Sequence, residues 1–148
     1  MKTVLMTVLR SLLVLVVAVA PAARAEEDPA AKEYARFEGT WKFASVEAEG
    51  QKLPEAQFKD SRLVLKGRSF TFTEAGATYK VDLGKSPKQI DITFLEGPEK
   101  GKTMLGIYEL EGDTYKVCLG LTGKSRPTAF VSKPGSGHVL EVLKRVKP

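Results

Sequence analysis

The sequence of 148 residues predicts an all-β protein, an eight-stranded antiparallel barrel preceded by a short N-terminal helix. Three observations support this fold class. Apolar and polar residues alternate with a period of two in eight short segments, which is typical of strands with one buried face. Glycine, proline and aspartate separate these segments, as they do at turns. Helical patterns long enough to cover a sheet are absent from the sequence, so closure into a barrel is the way to remove both sheet edges.

Residues 1–25 have the features of a secretory signal peptide in the expected order. Lys2 and Arg10 precede an apolar run at residues 11–20, and Ala23-Arg24-Ala25 provides the small-x-small pattern of a cleavage site. A transmembrane helix needs roughly 20 apolar residues, about twice the length of this run. We therefore expect cleavage, with an uncleaved anchor as the alternative.

Cleavage at Ala25 would leave a helix or plug in residues 26–38 and the barrel domain in residues 39–148, in a secreted or periplasmic protein. No cysteine lies near the cleavage site to accept a lipid, so we expect no stable membrane anchor. Removing the three leader cations from the 23 lysines and arginines leaves 20, against 18 acidic residues. Nucleic-acid binding needs a concentrated basic face, and none is visible in the sequence, so we exclude nucleic acid as a partner. We expect the protein to be a monomer.

The first element of the mature chain is a helix, because Asp28 provides an N-cap and Pro29 suits the first turn. Ala30, Tyr34 and Phe37 fall on one face of it. The eight predicted strands occupy residues 40–48, 62–66, 69–73, 78–83, 89–95, 103–111, 114–121 and 138–145.

The connections and faces follow from the same pattern. We expect a turn at residues 49–52, a short helix at 53–59 and an additional strand fragment at 128–131. Alternation predicts that these apolar side chains share the inner face: Leu63, Leu65, Phe70, Phe72, Tyr79, Val81, Leu83, Ile90, Ile92 and Phe94. Four carboxylates are expected mostly at outward positions: Asp82, Asp91, Glu109 and Glu141.

The clearest hairpin has Gly112-Asp113 as a two-residue type II′ turn, which needs glycine at its first position. This register pairs Glu109 with Lys116 on one face and Tyr108 with Val117 on the other. The predicted inward residues of the hairpin are Met104, Tyr108, Leu110, Tyr115, Val117 and Leu119, and Cys118 points outward. The turn chemistry and the burial pattern agree on this register.

A family resemblance rests on five motifs that occur in a fixed order. They are Gly39-Thr40-Trp41-Lys42, Gly97-Pro98-Glu99-Lys100-Gly101-Lys102-Thr103, Gly106-Ile107-Tyr108-Glu109-Leu110, Arg126-Pro127-Thr128 and Lys133-Pro134-Gly135-Ser136-Gly137. The first resembles the Gly-x-Trp signature of lipocalins and related calycin barrels. Together the motifs, over roughly residues 37–147, resemble a secreted planctomycete-type domain family of unknown function that is regarded as lipocalin-like.

This resemblance implies a lipocalin-like barrel and export, and it brings no activity with it. It also implies a structural pair at the closed end, in which Trp41 packs beneath the helix against a basic side chain, either Arg145 or Lys144. The chain has no obvious Thr-Asp-Tyr type motif of the longer lipocalin signature, so the resemblance implies no particular lipocalin ligand.

The inward tyrosines are the best indication of function, because buried hydroxyls need partners that a ligand can supply. The predicted ligand-binding residues are Phe72, Tyr79, Met104, Tyr108 and Tyr115, around a small apolar or amphipathic molecule. The alternative is a filled core, since an eight-stranded barrel is barely wide enough for a cavity. The protein would then be an extracytoplasmic interaction module that captures a protein partner through loops 95–102 and 121–137.

Other chemistries find little support, so we predict no enzyme, no cofactor and no metal. The segment 97–103 has three residues between its glycines instead of four and precedes a strand, which excludes a phosphate-binding loop. Ser136 and His138 lack a third member that would orient the base. Cys118 can be read as a structural cysteine, as half of a dyad with His138, or as a thiol that links two chains.

Overall fold

The computed structural model describes residues 27–148, and the predicted leader lies outside them. It contains a helix α1 (Pro29–Phe37) and nine strands. The strands are β1 (Gly39–Ala48), β2 (Gln51–Lys52), β3 (Arg62–Lys66), β4 (Ser69–Phe72), β5 (Ala75–Asp82), β6 (Lys88–Phe94), β7 (Thr103–Glu111), β8 (Thr114–Gly120) and β9 (His138–Arg145). All pairings are antiparallel between neighbours, and β1 also pairs with β9.

The β1–β9 pairing closes eight strands into a barrel, which confirms the predicted fold class. The ninth strand, β2, is a two-residue extension that folds back on the end of β1. The predicted turn at 49–52 therefore contains a tighter turn, with Glu49 and Gly50 both at positive φ. Two such residues are what a type I′ hairpin turn requires.

The hairpin of β7 and β8 has the predicted register. Glu109 faces Lys116, and their side chains form an ion pair of 2.9 Å, while Tyr108 faces Val117. Gly112 has a φ of 54°, which its missing Cβ permits. The six side chains predicted to point inward belong to the buried cluster or pack against it.

The predicted strands agree with the observed ones except near some ends. β5 begins at Ala75 instead of residue 78, because Thr73 and Glu74 form a two-residue turn at positive φ. Residues other than glycine, asparagine and aspartate rarely adopt this conformation, so the sequence does not signal the turn. The short helix predicted at 53–59 is a single 3₁₀ turn, Glu55–Gln57. Residues 128–131 are not a strand.

Helix α1 closes one end of the barrel. The Asp28 carboxylate accepts a hydrogen bond of 3.0 Å from the Ala30 amide and caps the helix, as predicted. Tyr34 and Phe37 are buried in the barrel core. Because the strands are antiparallel, the opposite end is formed by the turn at 73–74 and by the connections 49–61, 95–102 and 121–137. The barrel therefore has a plugged end and an open end.

Candidate functional site

The plugged end is filled by aromatic side chains packed around Phe37. The ring of Phe37 lies 5.6 Å from that of Tyr79, 5.1 Å from that of Tyr108 and 5.1 Å from that of Tyr115, measured between centroids. The contacts with Tyr79 and Tyr115 are edge to face, a geometry that stabilises aromatic clusters. Two of the predicted ligand-binding residues, Tyr79 and Tyr108, thus pack against the helix.

Trp41 and Arg145 lie together at this end. The Arg145 guanidinium carbon is 4.3 Å from the centre of the Trp41 ring, and the Trp41 indole N–H donates to the Phe37 carbonyl at 2.8 Å. Arg145 also donates to the carbonyl oxygens of Arg36 and Glu38 at the end of α1. The guanidinium thereby ties the helix to the last strand. The other candidate for this role, Lys144, points away and donates to the Thr114 hydroxyl.

Glu33 is a buried carboxylate at the plugged end that the sequence reasoning missed. It accepts hydrogen bonds from the Tyr108 hydroxyl at 2.9 Å, from Lys88 at 3.1 Å and from Arg36 at 2.8 Å. Burial alone would raise the pKa of Glu33, but these donors and the two nearby cations hold it below its ordinary value. The sequence signal was its position three residues after Ala30 and four before Phe37, which places Glu33 on the helix face that those two residues share.

The open half of the barrel contains a cavity of about 300 Å³. Apolar side chains from seven strands form most of its wall. The lining residues are Phe43, Leu63, Phe70, Phe72, Ile92, Phe94, Met104, Tyr115, Val117, Leu119, Leu121, Val139 and Glu141. Three of the predicted ligand-binding residues, Phe72, Met104 and Tyr115, are among them.

The cavity extends from Tyr115 at its inner end to exposed apolar side chains at its outer end. Tyr115 contacts both Phe37 and Trp41, so it separates the cavity from the plug. Phe72 and Leu121, at the open end, are 40% and 46% exposed. The cavity therefore reaches solvent between the turns of the open end.

Glu141 points into this cavity, and its predicted outward position was wrong. It pairs with Val117 of β8, a core residue, and directly paired residues of antiparallel strands face the same side. The sequence of β9 has apolar residues on both faces, so alternation gives no clear answer there. The family resemblance contained a usable signal. It implies that Arg145 packs on Trp41 inside the barrel, and residue 141, four positions earlier in the same strand, must then face inward as well.

The Glu141 carboxyl has no hydrogen-bond or ion-pair partner among residues 27–148. Desolvation by the surrounding apolar wall raises the pKa of Glu141 from its ordinary value of 4.5 to about 7. The part of its surface that remains accessible faces the cavity. Desolvation and the nearby Glu141 charge also raise the pKa of Tyr115.

Segment 121–137 crosses the outer face of the barrel and covers Cys118. The Cys118 side chain points outward as predicted, but it is fully buried, and its Sγ lies 3.4 Å from the Val131 carbonyl oxygen. Arg126 anchors the segment by donating to the Gly106 carbonyl at 2.8 Å and to Asp91 at 2.7 Å. Desolvation raises the pKa of Cys118, which disfavours the reactive thiolate.

Ser136 and His138 are neighbours, but their side chains do not form a nucleophile–base pair. The Ser136 hydroxyl donates to the Lys133 carbonyl at 2.6 Å and accepts from the His138 backbone amide at 3.1 Å. The His138 ring nitrogen Nε2 instead lies 3.0 Å from the Ser125 carbonyl oxygen. The geometry is that of a turn stabilised by side-chain hydrogen bonds.

Comparisons of the chain with protein-family models, with curated proteins and with solved structures found no match. Within residues 27–148, no helix has the length and apolarity needed to cross a membrane. The same residues contain no cluster of three or more histidine, cysteine, aspartate or glutamate side chains that could hold a metal ion.

Proposed function

We propose that the protein binds a small apolar or amphipathic molecule inside the barrel. The observation that carries this proposal is the cavity of about 300 Å³ in the open half, with a wall that is almost entirely apolar. Ligand pockets range from roughly 300 to 1,000 Å³, so a small ligand fits best. An eight-stranded barrel can hold one such ligand where its own side chains do not fill it.

The alternative of a filled core applies to only one half of the molecule. Aromatic side chains around Phe37 fill the plugged end, and the plug stops at Tyr115. Phe43 and Phe72 pack edge to face at 5.7 Å and form part of the wall beyond it. Export of the protein, its lack of enzymatic activity and its likeness to lipocalins stay predictions of the sequence.

Calorimetric titration with 2-phenylethanol tests the proposal, because this small molecule is amphipathic and uncharged. The matched variants are Met104→Trp, which fills part of the cavity, and Val64→Trp, at a position of β3 that is 42% exposed. We expect the wild-type chain to bind with a negative heat-capacity change, since apolar surface is buried. Met104→Trp should weaken binding by about tenfold or more, and Val64→Trp should leave it unchanged.

Two results would overturn the proposal. The first is a wild-type chain that binds neither 2-phenylethanol nor its amine analogue 2-phenylethylamine, which would turn the search toward a protein partner of the loops. The second is an equal affinity in the wild-type chain and in a folded Met104→Trp variant, which would place any binding outside the cavity.

A further inference from the structure

Among residues 27–148, Glu141 is the only carboxylate that lines the cavity, and the other lining side chains are apolar except for Tyr115. No cation in residues 27–148 forms an ion pair with it, and desolvation raises its pKa. An ionised carboxylate in such surroundings is unfavourable unless it is paired. Ionised Glu141 therefore lowers the stability of the folded chain, whereas an apolar residue at this position would not.

Glu33, a buried glutamate of the same barrel, shows what a structural role requires. Glu33 is held by three donors, and two of them are cations. Glu141 lacks every one of these contacts within the described chain, although its surface faces open volume. A molecule bound in the cavity could supply the hydrogen-bond donor that the Glu141 carboxylate lacks.

The chemistry of the missing group follows from the charge and the size of the site. A protonated amine supplies both a positive charge and hydrogen-bond donors, and charge-assisted hydrogen bonds are about twice as strong as neutral ones. The low dielectric of the cavity strengthens the attraction further. The volume of about 300 Å³ leaves room for a small apolar body beside the nitrogen.

We propose that the cavity selects small amphipathic amines, with the protonated nitrogen on the Glu141 carboxylate and the apolar body against Phe70, Ile92 and Val117. This inference rests on the proposed function of the cavity and names the ligand class. A neutral molecule of the same shape gains the apolar contacts alone. The cavity therefore discriminates by charge between ligands of equal size.

The preference depends on pH in a defined direction. The pKa of Glu141 is about 7, and an aliphatic amine stays protonated to about pH 10. The ion pair can thus form at pH 8.5, whereas at pH 5.5 the carboxyl is mostly neutral. Tyr115, the other titratable side chain on the wall, has a raised pKa and stays neutral at both values. The affinity for the amine should rise with pH.

The test is calorimetric titration of the wild-type chain with 2-phenylethylamine and with its neutral isostere 2-phenylethanol, at pH 5.5 and 8.5. At pH 8.5 we expect the amine to bind about tenfold or more tightly than the alcohol. Glu141→Gln keeps the side-chain shape and should abolish this preference. Glu109→Gln makes the same change on the outer face, where Glu109 pairs with Lys116, and should preserve it.

The outcomes separate the two proposals. Equal affinity for amine and alcohol at pH 8.5 would overturn the amine inference and leave the cavity function standing. Binding of neither ligand would overturn both. A preference for the amine that survives Glu141→Gln, or that does not grow from pH 5.5 to 8.5, would place the cation elsewhere and also contradict the inference.

Discussion

Two glutamates, the buried Glu33 and the partly buried Glu141, lie on opposite sides of Tyr115, and their surroundings drive their pKa values apart. Glu33 receives three hydrogen bonds, and its pKa is lowered. Glu141 receives none within residues 27–148, and its pKa rises to about 7. Glu33 thus stabilises the plug, whereas Glu141 is a carboxyl group in the cavity without a hydrogen-bond partner among residues 27–148.

The raised pKa of Glu141 predicts how its replacement alters the pH dependence of stability. Because the folded chain binds this proton more tightly than the unfolded chain, ionisation between pH 4.5 and about 7 lowers the free energy of unfolding. One pKa unit corresponds to about 1.4 kcal/mol, so the loss reaches up to about 3 kcal/mol above pH 7. Glu141→Gln should therefore stabilise the chain at pH 8 and have little effect at pH 4.

Urea unfolding of both chains at pH 4, 6 and 8 measures this effect. Glu109→Gln is the control, since the Glu109 carboxylate is half exposed and should change the stability by less than about 1 kcal/mol. A stability difference between wild type and Glu141→Gln that is the same at pH 4 and pH 8 would show that Glu141 ionises normally.

At the scale of the elements, α1 is attached to the barrel by polar contacts as well as by apolar packing. Glu33→Ala would leave the buried Tyr108 hydroxyl without an acceptor and remove the partner of Lys88 and Arg36. We expect a loss of about 2 to 3 kcal/mol in the free energy of unfolding at pH 7. The loss should be smaller at pH 3, since the stabilisation by a carboxylate with a lowered pKa disappears as the pH falls.

Urea unfolding measures this loss, with Glu27→Ala as the control. Glu27 pairs with Lys32 in an exposed ion pair, and such pairs contribute little. Equal stabilities of Glu33→Ala and Glu27→Ala would mean that the polar network does not hold the helix.

Because segment 121–137 covers Cys118, the opening of this segment should control how fast the single cysteine reacts. Arg126→Ala removes the hydrogen bonds to Gly106 and Asp91, so the segment should open more often and expose Cys118. We expect Cys118 to react slowly with a thiol reagent in the wild-type chain and about tenfold faster in Arg126→Ala. The control is Lys133→Ala, an exposed change in the same segment. Fast labelling of the wild-type chain would contradict the covered position of Cys118.

The sequence predicts those elements in which local and tertiary signals agree. The hairpin around Gly112 was predicted in its register because the turn residue and the alternation give the same pairing. The turn at Thr73 and Glu74 was missed because neither residue favours positive φ. The inward position of Glu141 was missed because β9 is apolar on both faces, and one of these faces lies near segment 121–137.

The candidate site was predicted only in part, for a related reason. Alternation shows which side chains point inward, but it does not show how far along the barrel axis each one lies. Phe72, Met104 and Tyr115 line the cavity, whereas Tyr79 and Tyr108 lie beside the helix. The depth to which α1 enters the barrel decides this difference, and it depends on contacts far apart in the sequence.

At the scale of the whole molecule, the barrel divides into a filled half and a hollow half. The helix, Trp41 and Arg145 close one end, and apolar side chains at the other end leave a cavity that reaches solvent. A concave, mostly apolar volume of this kind is the general form of a small-molecule site. We propose that this volume binds a ligand.

The most direct test of this claim is solution NMR of the wild-type chain with bound 2-phenylethanol, which locates the ligand through intermolecular nuclear Overhauser effects. We expect contacts from the ligand ring to the methyl groups of Ile92 and Val117, on the wall of the cavity. Contacts to the exposed Val64 methyl groups on the outer face, or no intermolecular contacts at all, would contradict it.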